Sequence, residues 1–416
     1  MNNNHYKSKI CRLCKKDDLT SVLKLEATPP ANEFLNETEL NNKQTTYPLE
    51  LYFCKNCNHI QLLNVVNPSI LFEDYVYVSG TSPVFVNHFK EYANGVIEKF
   101  NPDKSFIVLD IGSNDGTLLS FFKNKNFDVL GIDPAKNISS KASKNGIKTI
   151  PEFFSSNLAN KIKSKYKKAS IITANNVFAH ADNLDDIVLG IKNLLSPDGI
   201  FVFEVSYLVD VLEKNLFDTI YHEHLSYHSV GPLKKFFLEN GLEMISAERI
   251  NTHGGSLRGY VQIKNAIRKN DGSVEKLITY ENEIGLNKAK TFLNFSRNID
   301  NLKFELLELL RSIKSEGKTI AGFGAPAKAT TLMYQFGIDK NYVDFIVDDS
   351  PLKQGLYSPG LKIPVLTSDA IKLNKPDYLI ILAWNFSESI IKKNNDFIKG
   401  GGKFIVPLPK LSIIEK

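Results

Sequence analysis

Cysteine is scarce in this 416-residue chain: there are four, all before position 58. They form two close pairs rather than the scattered staples of a secreted protein, which points to a cytoplasmic location. Long apolar runs are missing as well. Nothing approaches the ~20 consecutive apolar residues that a membrane-spanning helix needs, so no membrane association is expected. Met1 to Ile10 is polar with no apolar core segment, so no signal peptide is expected either. Charge of one sign does not accumulate: 51 Lys and Arg are interspersed with 46 Asp and Glu, for a net charge of +5. Without a basic stripe, nucleic acid is not an expected partner, although a weak attraction for anionic substrates remains. What is there is ordinary for a globular protein, with 43% hydrophobic and 23% charged residues. At ~150 residues per domain the length suggests two or three domains.

Three regions can be drawn: 1–78, 79–270 and 271–416. Residues 1 to about 100 hold the cysteines, many prolines and polar loops. From Phe106 onward, short apolar runs that end in turn or polar residues (FIVLDIG, VLGIDPA, IITANNV, FVFEVSY) alternate with helical patterns. That texture indicates a parallel α/β sheet. EMISAERI and LRGYVQIKN, joined through THGGS, predict an antiparallel pair closing the sheet. Residues 275–316, rich in Leu, Glu and Lys at helical spacing, predict one or two connecting helices. A second α/β unit follows, opened by strand, Gly loop and helix in TIAGFGAPAKATTLM.

Cys11-x-x-Cys14 and Cys54-x-x-Cys57 present four thiolates in two knuckles, the ligand set of a tetrahedral zinc ion. The intervening 39 residues exceed the ~15–20 of a simple ribbon, so the insert carries structure of its own. Four cysteines leave no open ligand position, which makes the metal structural. His59 is read as a neighbour and not a ligand.

The first Gly loop, Asp110-Ile-Gly112-Ser-Asn114-Asp115-Gly116, follows a strand, and Asp133 ends the next one. The spacing is that of a dinucleotide fingerprint with its ribose-binding acid. Two details disfavour NAD. Asn114 replaces the glycine that would admit a pyrophosphate, and the carboxylates Asp110 and Asp115 would repel phosphates. S-adenosylmethionine carries an ammonium and a sulfonium and no phosphate, so an acidic loop suits it. Asn175 and Asn176 come at a strand end, where open α/β sheets bind ligands. Three of the eight histidines fall in Tyr221-His222-Glu223-His224-Leu-Ser-Tyr227-His228, expected to be a solvent-accessible polar loop. A His beside a Glu can serve as a general base, and a Tyr can stabilise an enolate oxygen. Metal ligation by His222 and His224 is disfavoured, because residues two apart do not share a helix face and no third ligand is evident. His180, Tyr75, Tyr77, Ser79, Gly80 and Thr81 are further polar groups in apolar contexts.

Gly322-Phe-Gly324-Ala-Pro-Ala327-Lys328 fits G-x-G-x-x-A at the start of a helix, which welcomes phosphate. Asp348 and Asp349 follow at the spacing of a ribose acid. NAD or the diphosphate of a nucleotide sugar could sit there, with Lys328 as a point charge. His253-Gly254-Gly255-Ser256-Leu-Arg258 adds a small-residue loop with a cation suited to phosphate.

The two CxxC motifs, DIGSNDG, YHEHLSY, HGGSLR, GFGAPAKA and DDSPLKQGLYSPG, in this order, resemble the sugar C-methyltransferases that act at C3 of nucleotide-linked 4-keto sugars, of the tetronitrose and mycarose type. The resemblance spans nearly the whole chain. It implies a zinc-binding N-terminal domain, a class I methyltransferase Rossmann-like domain, and a C-terminal Rossmann-like domain that helps hold a nucleotide-diphosphate keto sugar. It agrees with S-adenosylmethionine as cofactor, which Asp110, Gly112, Asn114, Gly116, Asp133, Asn175, Asn176, Ser79 and Thr81 are expected to hold. It implies His224 as the base, with Tyr221, Glu223 and His180 around the sugar. Arg258, Lys328 and one of Tyr75 and Tyr77 are placed against the substrate. The chemistry it implies is removal of the proton beside the ketone, then attack of the resulting enolate on the methyl group. An O- or N-methyltransferase of the same fold, an NAD-dependent nucleotide-sugar oxidoreductase and a non-catalytic zinc scaffold are the competing readings.

Overall fold

The computed structural model describes residues 4–73, 80, 83–252 and 254–415. Tyr75, Tyr77, Ser79 and Thr81 lie outside the described residues.

The N-terminal part is built on three antiparallel strands, β1 (Leu19–Thr28), β2 (Tyr47–Cys54) and β3 (Ile60–Leu62). In β2, Tyr47, Leu49, Leu51 and Phe53 alternate inward, as expected for a sheet with one buried face. Residues of the insert between the cysteine pairs also reach the far end of the chain. Leu35 bridges to Tyr357, and the Gly360 amide donates to Gln44 Oε1 at 2.6 Å. The region read as loop-rich therefore contains a sheet and a clamp.

Helix α1 (Pro83–Phe100) buries Phe85, Phe89, Tyr92, Ala93, Val96 and Phe100 along one face. The parallel sheet then begins as expected. Its strands are β4 (Ile107–Ile111), followed by the Gly loop and α2 (Thr117–Lys123), then β5 (Val129–Ile132), β6 (Thr149–Ile150), β7 (Ala169–Asn175) and β8 (Leu195–Ser206). β9 is only Ser226–Tyr227, and β10 (Leu242–Ile250) and β11 (Ser256–Ile263) make the closing hairpin. The order in space is β10-β11-β8-β7-β4-β5-β6, with every strand running the same way except β11, which is antiparallel to both its neighbours. β9 is not in this sheet. It pairs antiparallel with β3 and completes the N-terminal sheet.

Two helices, α3 (Ser273–Glu283) and α4 (Ala289–Ser315), lead to the second α/β unit. There β12 (Ile320–Phe323), α5 (Ala327–Phe336), β13 (Ile346–Val347), β14 (Val365–Leu366), β15 (Tyr378–Ile381), β16 (Lys403–Val406) and β17 (Ser412–Ile414) form a sheet ordered β14-β13-β12-β15-β16-β17. Only β17 is antiparallel. No helix among the described residues is long and apolar enough to cross a membrane.

Candidate functional site

The four cysteine sulfurs converge within 4.8 Å of one another, with Cys11 to Cys57 at 3.6 Å and Cys14 to Cys54 at 3.5 Å. Zinc–sulfur bonds of ~2.3 Å in a tetrahedron put sulfurs ~3.8 Å apart, so the donor set fits zinc. Cys11 and Cys54 are fully buried, and no disulfide links the four. Among the described residues this is the only such group. His59 stays outside it, bonded through Nε2 to Ser226 Oγ and stacked on His228.

At the carboxyl end of β4, Gly112 turns the chain with φ +71°, and a Cβ there would lie 2.2 Å from Val177 Cγ2. Gly116, with φ +80°, caps α2. Asp133 accepts from the amides of Asn114 and Ala135, both at 2.9 Å, so its carboxylate is held in a fixed orientation. Asp110 belongs to β4 and not to the loop. It is buried and accepts from Thr173 Oγ1 at 2.6 Å, and burial pushes its pKa up to about 7. Asp115 caps locally, accepting from the amides of Gly80 and Thr117. Asn175 closes β7 with both side-chain polar atoms buried and unpartnered among the described residues. Buried amides are normally satisfied, so this side chain has a donor and an acceptor to offer a polar ligand. Asn176 is left-handed with φ +55°, and its amide donates to the Glu204 carbonyl. The cradle fits the amino-acid and ribose groups of S-adenosylmethionine.

The histidine cluster is interior, contrary to the exposed loop expected. β9 ties Ser226 and Tyr227 to β3, the Leu62 amide bonds to the Leu225 carbonyl, and the Leu225 amide bonds to the Ala179 carbonyl. The segment is thus gripped from both sides and its apolar residues are drawn inward. His224 donates from Nδ1 to the Thr219 carbonyl at 2.7 Å, because a carbonyl can only accept. Its lone pair therefore sits on Nε2. Burial lowers its pKa to about 4, so the ring is neutral. The Tyr221 ring lies 4.2 Å and the His180 ring 5.0 Å from it, centroid to centroid. His180 stacks on Phe72, and its Nε2 is buried without a partner among the described residues. Glu223 accepts from Asn32 of the insert at 2.8 Å. His222 bonds to the Tyr47 carbonyl and packs against that ring, a structural position.

Two expected substrate contacts are otherwise engaged. Arg258 on β11 pairs with the buried Glu204 and with Glu248, over the face of Tyr92. Glu204 also bonds His88 at 2.9 Å. The spacing could not reveal these partners, because they lie on different elements. The Lys328 ammonium is buried 3.8 Å from Asp218 and over Trp384. In the second Gly loop, Asp348 accepts from the Ala325 amide at 2.6 Å. A carboxylate already takes up the amide that a pyrophosphate would need, which weighs against NAD there. A cavity of about 540 Å³ opens between the two α/β units, lined by His88, Lys214, Asn251, Thr252, Trp384 and Lys410 among others. Asp218, Thr219, Trp384 and His88 were missed from sequence. The single tryptophan was the one available signal.

Three family models match in chain order: a zinc binding domain over 11–72, a methyltransferase domain over 87–247 and a C-methyltransferase C-terminal domain over 251–409. The chain is 32% identical over 404 residues to C-methyltransferase NovU of Streptomyces niveus, covering 97% of this chain and 96% of that protein. Similar solved structures include an S-adenosylmethionine-dependent methyltransferase from Clostridium acetobutylicum ATCC 824, at 13% identity and TM-score 0.36, covering 43% of this chain and 92% of that one. Another is magnesium protoporphyrin IX methyltransferase from Synechocystis PCC 6803 with bound SAM, at 13% identity and TM-score 0.32, covering 44% and 82%.

Proposed function

Since this chain belongs to the S-adenosylmethionine-dependent C-methyltransferase family, we propose that it methylates the carbon beside the ketone, C3, of a nucleotide-linked 4-keto sugar, with His224 as the base. The observation that supports this is the state of His224: neutral, its Nδ1 hydrogen committed to Thr219, its Nε2 free to take a proton, beside Tyr221 and His180. A C–H acid needs such a base, whereas O-methylation of a hydroxyl does not need a carbon acid at all.

In this reading His224 Nε2 takes the proton next to the ketone. The Tyr221 hydroxyl, on the ring packed against His224, donates to the developing enolate oxygen. Such a base contributes roughly 10²–10⁴-fold, and donors aimed at the enolate a comparable factor. His180 and Glu223 bound the sugar, and the burial of this segment keeps water from the enolate. Bound S-adenosylmethionine supplies an activated methyl group on sulfonium. Asp133 is placed to accept from the ribose hydroxyls, Asn175 to bind the cofactor's polar groups, and Gly112 and Gly116 to let it approach the backbone. The cavity between the α/β units, with Lys410, Asn251 and Thr252 in its wall, suits the nucleotide diphosphate.

The test combines labelled S-adenosylmethionine with a panel of 4-keto nucleotide sugars and mass spectrometry of the products. We expect label on carbon and, without cofactor turnover, exchange of the C3 proton in heavy water. Label found only on oxygen, or methyl transfer to acceptors with no ketone, would overturn the proposal.

A further inference from the structure

The second α/β unit packs through several buried contacts on the short turn that precedes the histidine segment. Asp218 lies in the short 3₁₀ turn Phe217–Thr219, and its side chain is fully buried. Its Oδ2 accepts from Nε1 of Trp384, the only tryptophan in the chain, at 2.5 Å, and lies 3.8 Å from Lys328 Nζ. The Lys328 ammonium in turn sits 3.7 Å from the centre of the Trp384 ring. Lys328 comes from the first turn of α5, and Trp384 from the turn after β15.

The next two residues are held as well. The Thr219 carbonyl accepts from His224 Nδ1 at 2.7 Å and from the Tyr227 hydroxyl at 3.5 Å. The Ile220 carbonyl accepts from Thr331 Oγ1, again on α5, at 2.8 Å. Three consecutive residues are therefore gripped, the outer two by the C-terminal unit and the middle one by the imidazole. The turn has little rigidity of its own, since 3₁₀ hydrogen bonds are poorly aligned and such pieces are short. Its direction is set by what packs on it. The Trp384 bond is charge-assisted and buried, the stronger kind. Lys328 has no hydrogen-bond acceptor among the described residues, so it acts on Asp218 by charge across a dry gap.

We propose that Asp218, Trp384 and Lys328 are positioning residues: seating the C-terminal unit on the 218–220 turn aims the Thr219 carbonyl, which keeps the hydrogen on His224 Nδ1 and leaves Nε2 as the base. This rests on the reading of His224 as the base. Docking of the substrate-holding unit and readiness of the base are then one event, and a displaced C-terminal unit leaves the imidazole free to adopt the wrong tautomer.

The test uses the full-length, zinc-loaded enzyme. Trp384→Phe keeps the ring and removes the donor; Asp218→Asn keeps the shape and removes the charge. Lys328→Met serves where either fails to fold. Three quantities are read: the nitrogen NMR signature of the His224 tautomer in selectively labelled protein, the rate of C3 proton exchange with a 4-keto nucleotide sugar, and the affinity for S-adenosylmethionine. We expect Trp384→Phe to mix the His224 tautomers and to slow exchange by roughly 10–100-fold, a part of what a positioned base supplies, with cofactor affinity within about twofold. An unchanged tautomer and unchanged exchange in Trp384→Phe, together with lost exchange in His224→Ala, would overturn the positioning role alone. Full exchange in His224→Ala would overturn the base assignment and this proposal with it.

Discussion

Asp110 is a carboxyl that the fold has withdrawn from water: its strand is sandwiched in the middle of the sheet, and among the described residues Thr173 is its side-chain hydrogen-bond donor. With a pKa pushed up to about 7, its charge changes near neutrality. Affinity for the cationic cofactor should therefore fall as the pH drops through about 7. Stability of the empty protein should move the other way. A carboxyl with a raised pKa binds its proton more tightly folded than unfolded, so stability rises as pH falls from about 7 toward the unfolded value of about 4. Calorimetric titration with S-adenosylmethionine between about pH 6 and about pH 8 checks this, with Asp110→Asn expected to bind weakly and without that pH dependence. Equal affinity across the range in the wild type would show that Asp110 does not feel the ligand. His224→Ala should bind cofactor nearly as well as the wild type yet lose C3 exchange by at least ~10²-fold. Because this ring is interior, some loss of stability should accompany it. Undiminished exchange would hand the proton to His180 or a tyrosine.

Residues of this kind divide sharply in how visible they are in sequence. The cysteine tetrad and Asp133 are local patterns, since two knuckles or one strand, loop and strand carry the whole geometry. Arg258 looked free because its partners stand on other strands, Glu204 on β8 some fifty residues upstream and Glu248 directly across the closing hairpin, so that only the pairing register brings them together. The burial of Tyr221 to His228 was likewise invisible, because the contacts that bury it come from residues 32, 47, 60–62 and 179.

Among the elements, the parallel strands were legible because each is a short apolar run with its own turn chemistry. Helix α1 was also legible in principle: Phe85, Phe89, Tyr92, Val96 and Phe100 recur at helical spacing, but the polar company of the N-terminal region masked it. β9 was not, since two residues have no periodicity and their partner strand lies more than 150 positions upstream. The turn after β4 carries a prediction of its own. Gly112→Ala would place a Cβ 2.2 Å from Val177 at φ +71°, a strained conformation that costs about 1–3 kcal/mol. A lower urea midpoint, corresponding to a loss of unfolding free energy of that order, together with a loss of cofactor binding larger than the loss of stability, is expected. Wild-type affinity in this variant would show that the turn does not shape the cofactor cradle.

Across the whole molecule, the four-cysteine site and the segment that carries His224, the proposed base, meet at one sheet. β3, which follows Cys57 closely, pairs with β9, which follows His224 closely. One zinc per chain is expected by elemental analysis. Removing it with a chelator, or by Cys54→Ser, should reduce C3 exchange and not only thermal stability. A metal-free protein that still exchanges at the wild-type rate would show that the two ends of the sheet are independent. The long insert between the cysteine pairs also becomes intelligible at this scale. Through Asn32, Leu35 and Gln44 it touches both the 221–228 histidine segment and the second α/β unit. Nothing in its own composition announces those partners.

A sheet completed from so far along the chain has a consequence for synthesis. One edge of β3 has no strand beside it until Ser226 and Tyr227 have left the ribosome. At ~5–20 residues per second that interval is about 10–30 s. For that time Ile60, Gln61 and Leu62, all buried in the finished protein, offer an open backbone edge of the kind that pairs with stray strands. The nascent N-terminal part can collect its metal early, yet it remains an unfinished surface that a chaperone, or a neighbouring chain, can reach first.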